Sequence, residues 1–165
     1  LYVARAPLDS GDGPLVSRVL ATHRLDAVLI GNAAAAEQGS PVTTLDIDFM
    51  FRKTPTHLRR LTAVADELDA MVLRPYDPAS PLFRVVRDSD GLQLDFMARV
   101  DGVRSFAALK SRAVPVTFGG HVLLVASVRD IIRSKERVGR PQDLAVLPVL
   151  RRTLDEQAWK ETDDR

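Results

Sequence analysis

Short apolar runs of strand length alternate along this chain with stripes of helical spacing. The pattern predicts an α/β domain with a mixed sheet and a helical C-terminal portion. Three observations carry that expectation. Ala27-Val28-Leu29-Ile30 is continuously apolar, as a strand covered on both faces is. Residues 43–51 alternate, with Leu45, Ile47, Phe49 and Phe51 on one side and Asp46 and Asp48 on the other. Two helical segments with start signals follow the last strand. A length of 165 residues suits one domain over 1–165, with a core at about 15–126 and the helical portion at about 127–160.

The elements follow in order. Ser10-Gly11-Asp12-Gly13-Pro14 is a loop that sets off a short N-terminal piece. Residues 15–24 read as a helix with Leu15, Val16, Val19 and Leu20 on one face. The buried strand 27–30 ends at Gly31-Asn32, and a helix begins over 33–37, closed by Gly39-Ser40-Pro41. After the Asp46/Asp48 strand, Thr54-Pro55 gives an N-cap with proline at the first helical position. Leu58, Leu61, Val64, Ala65 and Leu68 form that helix's stripe, and residues 75–81 form a loop. Strands 83–86 and 92–98 flank Ser89-Asp90-Gly91, a hairpin turn signal. A short helix is expected at 105–110, then strands 114–118 and 121–125 about Gly119-Gly120. Ser127 with Asp130 makes a capping box for a helix that Gly139 ends. Pro141 starts the last helix, with stripe Leu144, Leu147, Leu150 and Leu154; Pro148 within it predicts a kink or break.

Composition excludes some classes. The net charge of +1 balances 23 basic against 22 acidic residues, so contact with nucleic acid would have to come from a local patch. With no cysteine, disulfides and thiolate metal sites are excluded, which fits a reducing compartment. No apolar run reaches about 18 residues and no signal-like stretch opens the chain, so no membrane partner is expected and the location is expected to be cytoplasmic.

The candidate chemistry centres on Asp46 and Asp48. As alternate residues of one strand their Cα atoms lie about 6–7 Å apart, and two carboxylates on one face repel unless a cation lies between them. An oxygen-only pair suits a hard divalent ion such as Mg²⁺; the same alternation also fits the solvent face of an antiparallel strand. Asp95 lies in a later strand, on the face opposite Leu94 and Phe96. If that strand pairs beside the first, three carboxylates converge, and a pair of divalent ions would relieve them and position a nucleoside triphosphate. Gly31-Asn32, between strand and helix, offers unpaired N–H groups to phosphate, or is an ordinary turn.

Lys135 falls on the apolar face set by Val128, Ile131 and Ile132. It either snorkels past the core edge or points a cation into a cleft to hold phosphates. Asp143, in the first turn of the last helix, is a helix-dipole partner or a steering partner for Lys135. His23, His57 and His121 have no second histidine at ligand spacing and read as structural or exposed. Arg52, Lys53, Arg59 and Arg60 form the densest basic cluster near the acidic strand: a solvated face, or a track for RNA phosphates. Few aromatics (5%) limit stacking on single strands.

Gly31-Asn32, Thr44-Leu45-Asp46-Ile47-Asp48, Asp95, Ser134-Lys135 and Arg140-Pro141-Gln142-Asp143 together resemble the nucleotidyltransferase superfamily. Within it the pattern is similar to the AbiEii-like branch, which includes the MenT-type toxins of toxin–antitoxin systems. The resemblance spans roughly residues 27–150, and its most specific part is the Asp pair combined with Lys-x₄-Arg-Pro-x-Asp. It implies a polymerase-β-like nucleotidyltransferase core that binds NTP with Mg²⁺, two ions being expected. Asp46, Asp48 and Asp95 would be the metal and catalytic carboxylates, with Asp95 assisting the attacking hydroxyl. Gly31, Asn32, Thr44 and Lys135 would bind nucleotide, and Lys135 and Asp143 would match C-terminal site residues. Two positions depart from the family: Gly31-Asn32 stands where Gly-Gly or Gly-Ser is common, and Val42 where an arginine is frequent.

The activity implied is transfer of NMP to an RNA 3′ end, with tRNA as acceptor, translation blocked and a cognate antitoxin as partner. The alternatives are transfer to a hydroxyl of a protein or of a small molecule such as an aminoglycoside, or a catalytically idle nucleotide-binding module. Thr44, one step upstream on the face of Asp46 and Asp48, is a candidate phosphoregulation site, or a threonine placed for strand propensity.

Overall fold

The computed structural model describes residue 8 and residues 11–165. Most of the expected N-terminal piece lies outside the described residues. The elements run α1 (Asp12–Thr22), β1 (Ala27–Ile30), α2 (Gly31–Ala36), β2 (Asp48–Phe51), α3 (Pro55–Glu67), β3 (Met71–Leu73), β4 (Phe83–Arg87), β5 (Leu92–Met97), α4 (Phe106–Arg112), β6 (Val114–Phe118), β7 (His121–Val125), α5 (Val128–Val138) and α6 (Pro141–Asp163). The fold is a seven-stranded mixed sheet with C-terminal helices, as expected. Its strand order is β3-β4-β5-β2-β1-β7-β6. Two pairings are parallel, β2 with β5 and β1 with β7; the other four are antiparallel.

The two faces of the central strands divide the labour. Phe49 stacks on Phe96 with ring centroids 5.0 Å apart, and Phe51 meets Phe96 and Phe83 edge-on at 5.9 Å. Those rings lie within a buried apolar cluster that also takes Val16, Val19 and Leu20 from α1 and Leu61, Val64 and Ala65 from α3. Alternation turns Asp48, Asp95 and Arg84 to the other face. There α5 and α6 supply Ile131, Lys135, Asp143 and Val146 to one cleft.

Several local expectations are corrected. The strand expected over 43–51 begins only at Asp48. Leu45, placed with the core by alternation, is 95% exposed, because residues 41–47 approach the sheet as an irregular segment. Ile47 is the first residue to be drawn in, its carbonyl accepting from the Asp95 N–H at 3.0 Å. α1 starts at Asp12 rather than 15, and α2 at Gly31 rather than 33. β3 was not expected; it is a three-residue edge strand with Met71 and Leu73 exposed, too short and too wet to show a pattern. α6 passes through Pro148 without a break, with Pro148 on the exposed side. Its buried stripe is Asp143, Leu147, Leu150 and Thr153, and Leu144 is half exposed.

The caps act as the sequence requires. Thr54 Oγ1 accepts the His57 N–H at 3.2 Å and also bonds His57 Nδ1 at 2.8 Å, while Arg60 meets Nε2 at 3.3 Å. Burial and the Arg60 guanidinium hold the His57 imidazole below its usual range, which makes it a structural histidine. Ser127 Oγ accepts from the Asp130 N–H at 3.2 Å and sits 3.0 Å from Asp130 Oδ2. Arg112, at the end of α4, grips the buried Asp130 carboxylate with two bonds of 2.9 Å. Arg112→Met strands that carboxylate and is expected to cost about 2 kcal/mol in urea unfolding, with part of the loss recovered when Asp130→Asn is added.

Candidate active site

β2 enters the sheet between β1 and β5, and its parallel pairing with β5 sets Asp48 opposite Asp95. The strand spacing places their backbones about 5 Å apart. The sequence raised that pairing only as a condition, and the fold meets it. Asp46 precedes the strand rather than sharing it, yet both aspartates line the same cleft of about 840 Å³. The turn before them is tightened by Thr44, whose Oγ1 accepts the Asp46 N–H at 3.0 Å. Upstream, Ser40 is tied to α6 by a buried 3.0 Å bond from Thr153 Oγ1.

The cleft's electrostatics follow from crowding. Burial, then the charges of Asp95 and Asp46, push the Asp48 carboxyl up to about 6; Arg84 and Lys135 offset this only in part. Asp95 is satisfied differently. Arg84, its register partner on β4, donates to both oxygens at 2.8 and 3.0 Å. The Arg84 guanidinium, with Tyr76 5.9 Å away, is itself raised, first by that bond. Among the described residues no three His, Cys, Asp or Glu side chains are gathered to hold a metal ion between them. Asp46, Asp48 and Asp95 are therefore neighbours in the cleft, but Asp95 has both oxygens turned to an arginine.

On the facing helices, Lys135 Nζ donates to Asp143 Oδ1 at 3.3 Å, and Arg140 Nε donates to Asp143 Oδ2 at 2.6 Å. Burial alone would raise the Asp143 carboxyl; the bonds from Arg140 and Lys135 outweigh it and hold the carboxyl below its usual range. Asp143 thus steers both cations, and all three line the cleft with Asp48. Gly31 and Asn32 line it too. Gly31 opens α2 with φ +68°, a left-handed backbone that favours glycine, and Asn32 Oδ1 is a buried atom with no hydrogen-bond partner among the described residues.

Arg52, Lys53, Arg59 and Arg60 are not brought to this cleft. They lie past the other end of β2, and each already has a neighbour. Arg52 pairs with Asp26 at 3.1 Å, Lys53 lies over the Phe83 ring, Arg59 bonds Thr56 and Arg60 bonds the Arg24 carbonyl. The residue the sequence reading missed is Arg84. Its signal was available: the turn at Ser89-Asp90-Gly91 closes a hairpin whose register puts position 84 across from 95.

Similarity to solved structures agrees with this architecture. A candidate nucleotidyltransferase from Thermotoga maritima matches with a TM-score of 0.62 at 17% identity, over 94% of this chain and 98% of that one. The structure of ANT(2'')-Ia in complex with adenylyl-2''-tobramycin matches with a TM-score of 0.56 at 18% identity, over 84% of this chain and 85% of that one. A nucleotidyltransferase-like protein from Paracoccidioides brasiliensis matches with a TM-score of 0.51 at 14% identity, over 91% and 87%. At these identities the likeness shows the fold, a nucleotidyltransferase fold. No protein-family model matches the sequence, and no curated protein matches it. Among the described residues no helix is long and apolar enough to cross a membrane.

The raised Asp48 carboxyl has a measurable consequence. Its ordinary value is 3.8 and its folded value about 6, so the folded state holds the extra proton between the two. The contribution of Asp48 to stability therefore falls as pH rises from about 4 to about 6. Asp48→Asn is expected to be more stable than the parent above pH ~6, by on the order of 2 kcal/mol, with no gain below pH ~4. Urea unfolding at both ends of that range, without divalent cations, measures it; a pH-independent difference would contradict the electrostatic account.

Proposed function

We propose that this chain is a metal-dependent nucleotidyltransferase that transfers NMP from an NTP to the 3′ end of an RNA. The observation that carries this is the β2–β5 register, which sets Asp48 against Asp95 at the floor of a cleft with Asp46 and Lys135 on its walls. The donor set fits a hard divalent cation: it is oxygen-only, and the Asp48 carboxylate is destabilised by neighbours of its own sign. Asp46 and Asp48 would hold Mg²⁺, and Asp95 would join them only as Arg84 releases it. Bound there, the ions would neutralise the triphosphate and polarise its α-phosphorus.

The chain's own groups do the rest. Lys135 and Arg140, held by Asp143, present cations to the β- and γ-phosphates. Gly31 and Asn32 offer backbone and amide donors. The acceptor oxygen bonds to the α-phosphorus, the bond to the bridging oxygen breaks, and pyrophosphate leaves with the electron pair. Asp95, freed as Arg84 releases it, receives the hydroxyl proton.

ANT(2'')-Ia supplies a second reading, a small-molecule hydroxyl as acceptor. The pairing of the cleft's carboxylates favours RNA over a polycationic aminoglycoside. Asp95 is taken by Arg84, Asp143 by Lys135 and Arg140, and Asp130 by Arg112, which leaves Asp101 beyond the Asp46/Asp48 pair. With tRNA as acceptor, modification of its 3′ end would block aminoacylation, the action of a toxin held in check by an antitoxin. Thr44 offers a point of control. A phosphate there adds about −1.5 to −2 charge and displaces the bond that shapes the Asp46 turn.

Incubation with each labelled NTP, Mg²⁺ and either total RNA or an aminoglycoside tests the reading. Label is expected on RNA, and lost in Asp46→Ala/Asp48→Ala. Label on the aminoglycoside alone would replace the acceptor; full transfer by the double variant would overturn the site. Lys135→Met is expected to lower kcat/KM at least about tenfold, ~1.4 kcal/mol. A lysine that merely snorkels would leave kinetics unchanged.

A further inference from the structure

One face beside the cleft carries arginines that have no partner among the described residues. α5 presents Arg129, Arg133 and Arg137 at successive intervals of four residues, a stripe on its solvent side with a rise of about 6 Å per step. The segment between β5 and α4 adds Arg99 and Arg104. All five are exposed. Among the described residues none has a hydrogen bond, an ion pair or a ring partner. The contrast is with Arg52, Arg60, Arg84, Arg112 and Arg140, which are all engaged. In a chain of net charge +1, five unpartnered cations on adjoining elements are a concentration of charge.

The segment and the helix form one surface. At Gly102 the backbone comes so close to α5 that an added Cβ would lie 2.8 Å from the Arg133 carbonyl oxygen and 3.0 Å from the Ser134 Cα. Glycine is required there twice over, since φ is +78°. This contact holds Arg99 and Arg104 alongside the α5 stripe. Asp101 is the only carboxylate in the segment, and the two acids of α5 are paired elsewhere, Asp130 with Arg112 at 2.9 Å and Glu136 with Arg151 at 2.8 Å. The face is also continuous with the cleft: Arg99, Ser134 and Lys135 line it, from the same segment and the same helix.

We propose that this face is the docking surface for the phosphate backbone of the RNA acceptor, holding its body while the 3′ end enters the cleft. The proposal rests on the RNA reading above and gives it a surface. It moves the RNA contact from Arg59 and Arg60, each of which makes a hydrogen bond within the protein, to arginines that make none among the described residues. Arginines on a helix, with no ion pair among the described residues, release counterions on binding without first breaking an internal pair.

The test measures binding of a labelled RNA hairpin with a single-stranded 3′ overhang across a salt series, in the full chain. R129A/R133A/R137A is expected to weaken binding at least about tenfold at low salt and to flatten the slope of log Kobs against log salt by about 2–3. The same triple change to lysine should keep most of the slope, since charge is retained. Thermal melting should be unchanged in both, as these side chains are exposed and unpartnered. Arg59→Ala/Arg60→Ala should leave the slope intact.

An unaltered slope in the α5 triple variant overturns the proposal. So does loss of binding to poly-glutamate with RNA binding untouched, which would make the face a site for an acidic polypeptide. The outcome is separable from that of the catalytic reading. Transfer of label to RNA with normal binding by the triple variant would sink only this inference. Arginine-dependent RNA binding without any transfer would sink only the assignment of RNA as acceptor.

Discussion

The parallel pairing of β2 with β5 is the constraint on which the cleft depends. It sets Asp48 beside Asp95, and because side chains alternate it does so on the face away from Phe49 and Phe96. The stacked rings and the facing carboxylates are therefore two results of one register. A slip by one residue would bury the acids among the phenylalanines and expose the rings, so the apolar face fixes the polar one. The cost of the arrangement falls on Asp48, whose carboxyl is pushed up by burial and by its neighbours.

The remaining charges in the cleft are arranged around that crowded point. Arg84 answers Asp95 from the adjacent strand, and Asp143 collects Lys135 and Arg140 from the helices opposite. The Arg84–Asp95 pair is neutral in itself, while the Asp143 group, with two cations on one carboxylate, keeps an excess of positive charge opposite Asp46 and Asp48. Among the described residues of the cleft and its rim, Asp46, Asp48 and Asp101 have no cation of their own, and neither Arg99 nor the α5 arginines have a carboxylate. A cation suits the first and a polyanion the second, and the proposed transfer to RNA would use both.

Second-row contacts give the cleft its rigidity. The Ser40–Thr153 bond anchors the segment that leads to Asp46, and Gln38 Nε2 reaches the carbonyls of Ala34 and Ala126, tying α2 to the end of β7. Arg112 and Ser127 fix Asp130 at the start of α5, and so set the axis along which Lys135 projects. The Ser40–Thr153, Gln38–Ala126 and Arg112–Asp130 ties connect residues far apart in sequence, and none leaves a periodic trace.

By itself the sequence determined the elements whose signals are local. Ala27–Ile30, the Thr54-Pro55 and Ser127 caps, the hairpin about Gly91 and the strands about Gly119-Gly120 were legible, because periodicity, capping and turn chemistry act over a few residues. The aspartates stood out as acids at alternate positions in an apolar run, but the strand expected to carry both begins only at Asp48. Tertiary structure decided what those residues meet. Alternation put Leu45 in the core, but the chain reaches the sheet only at Ile47 and Leu45 stays in solvent. Arg84 becomes the partner of Asp95 only when β4 and β5 close their hairpin, and the α5 arginines stay without a partner among the described residues because Asp130 and Glu136 are taken by Arg112 and Arg151. Pairing, exposure and compensation are relations between distant segments, and a single strand or helix carries no record of the neighbour that will cover it.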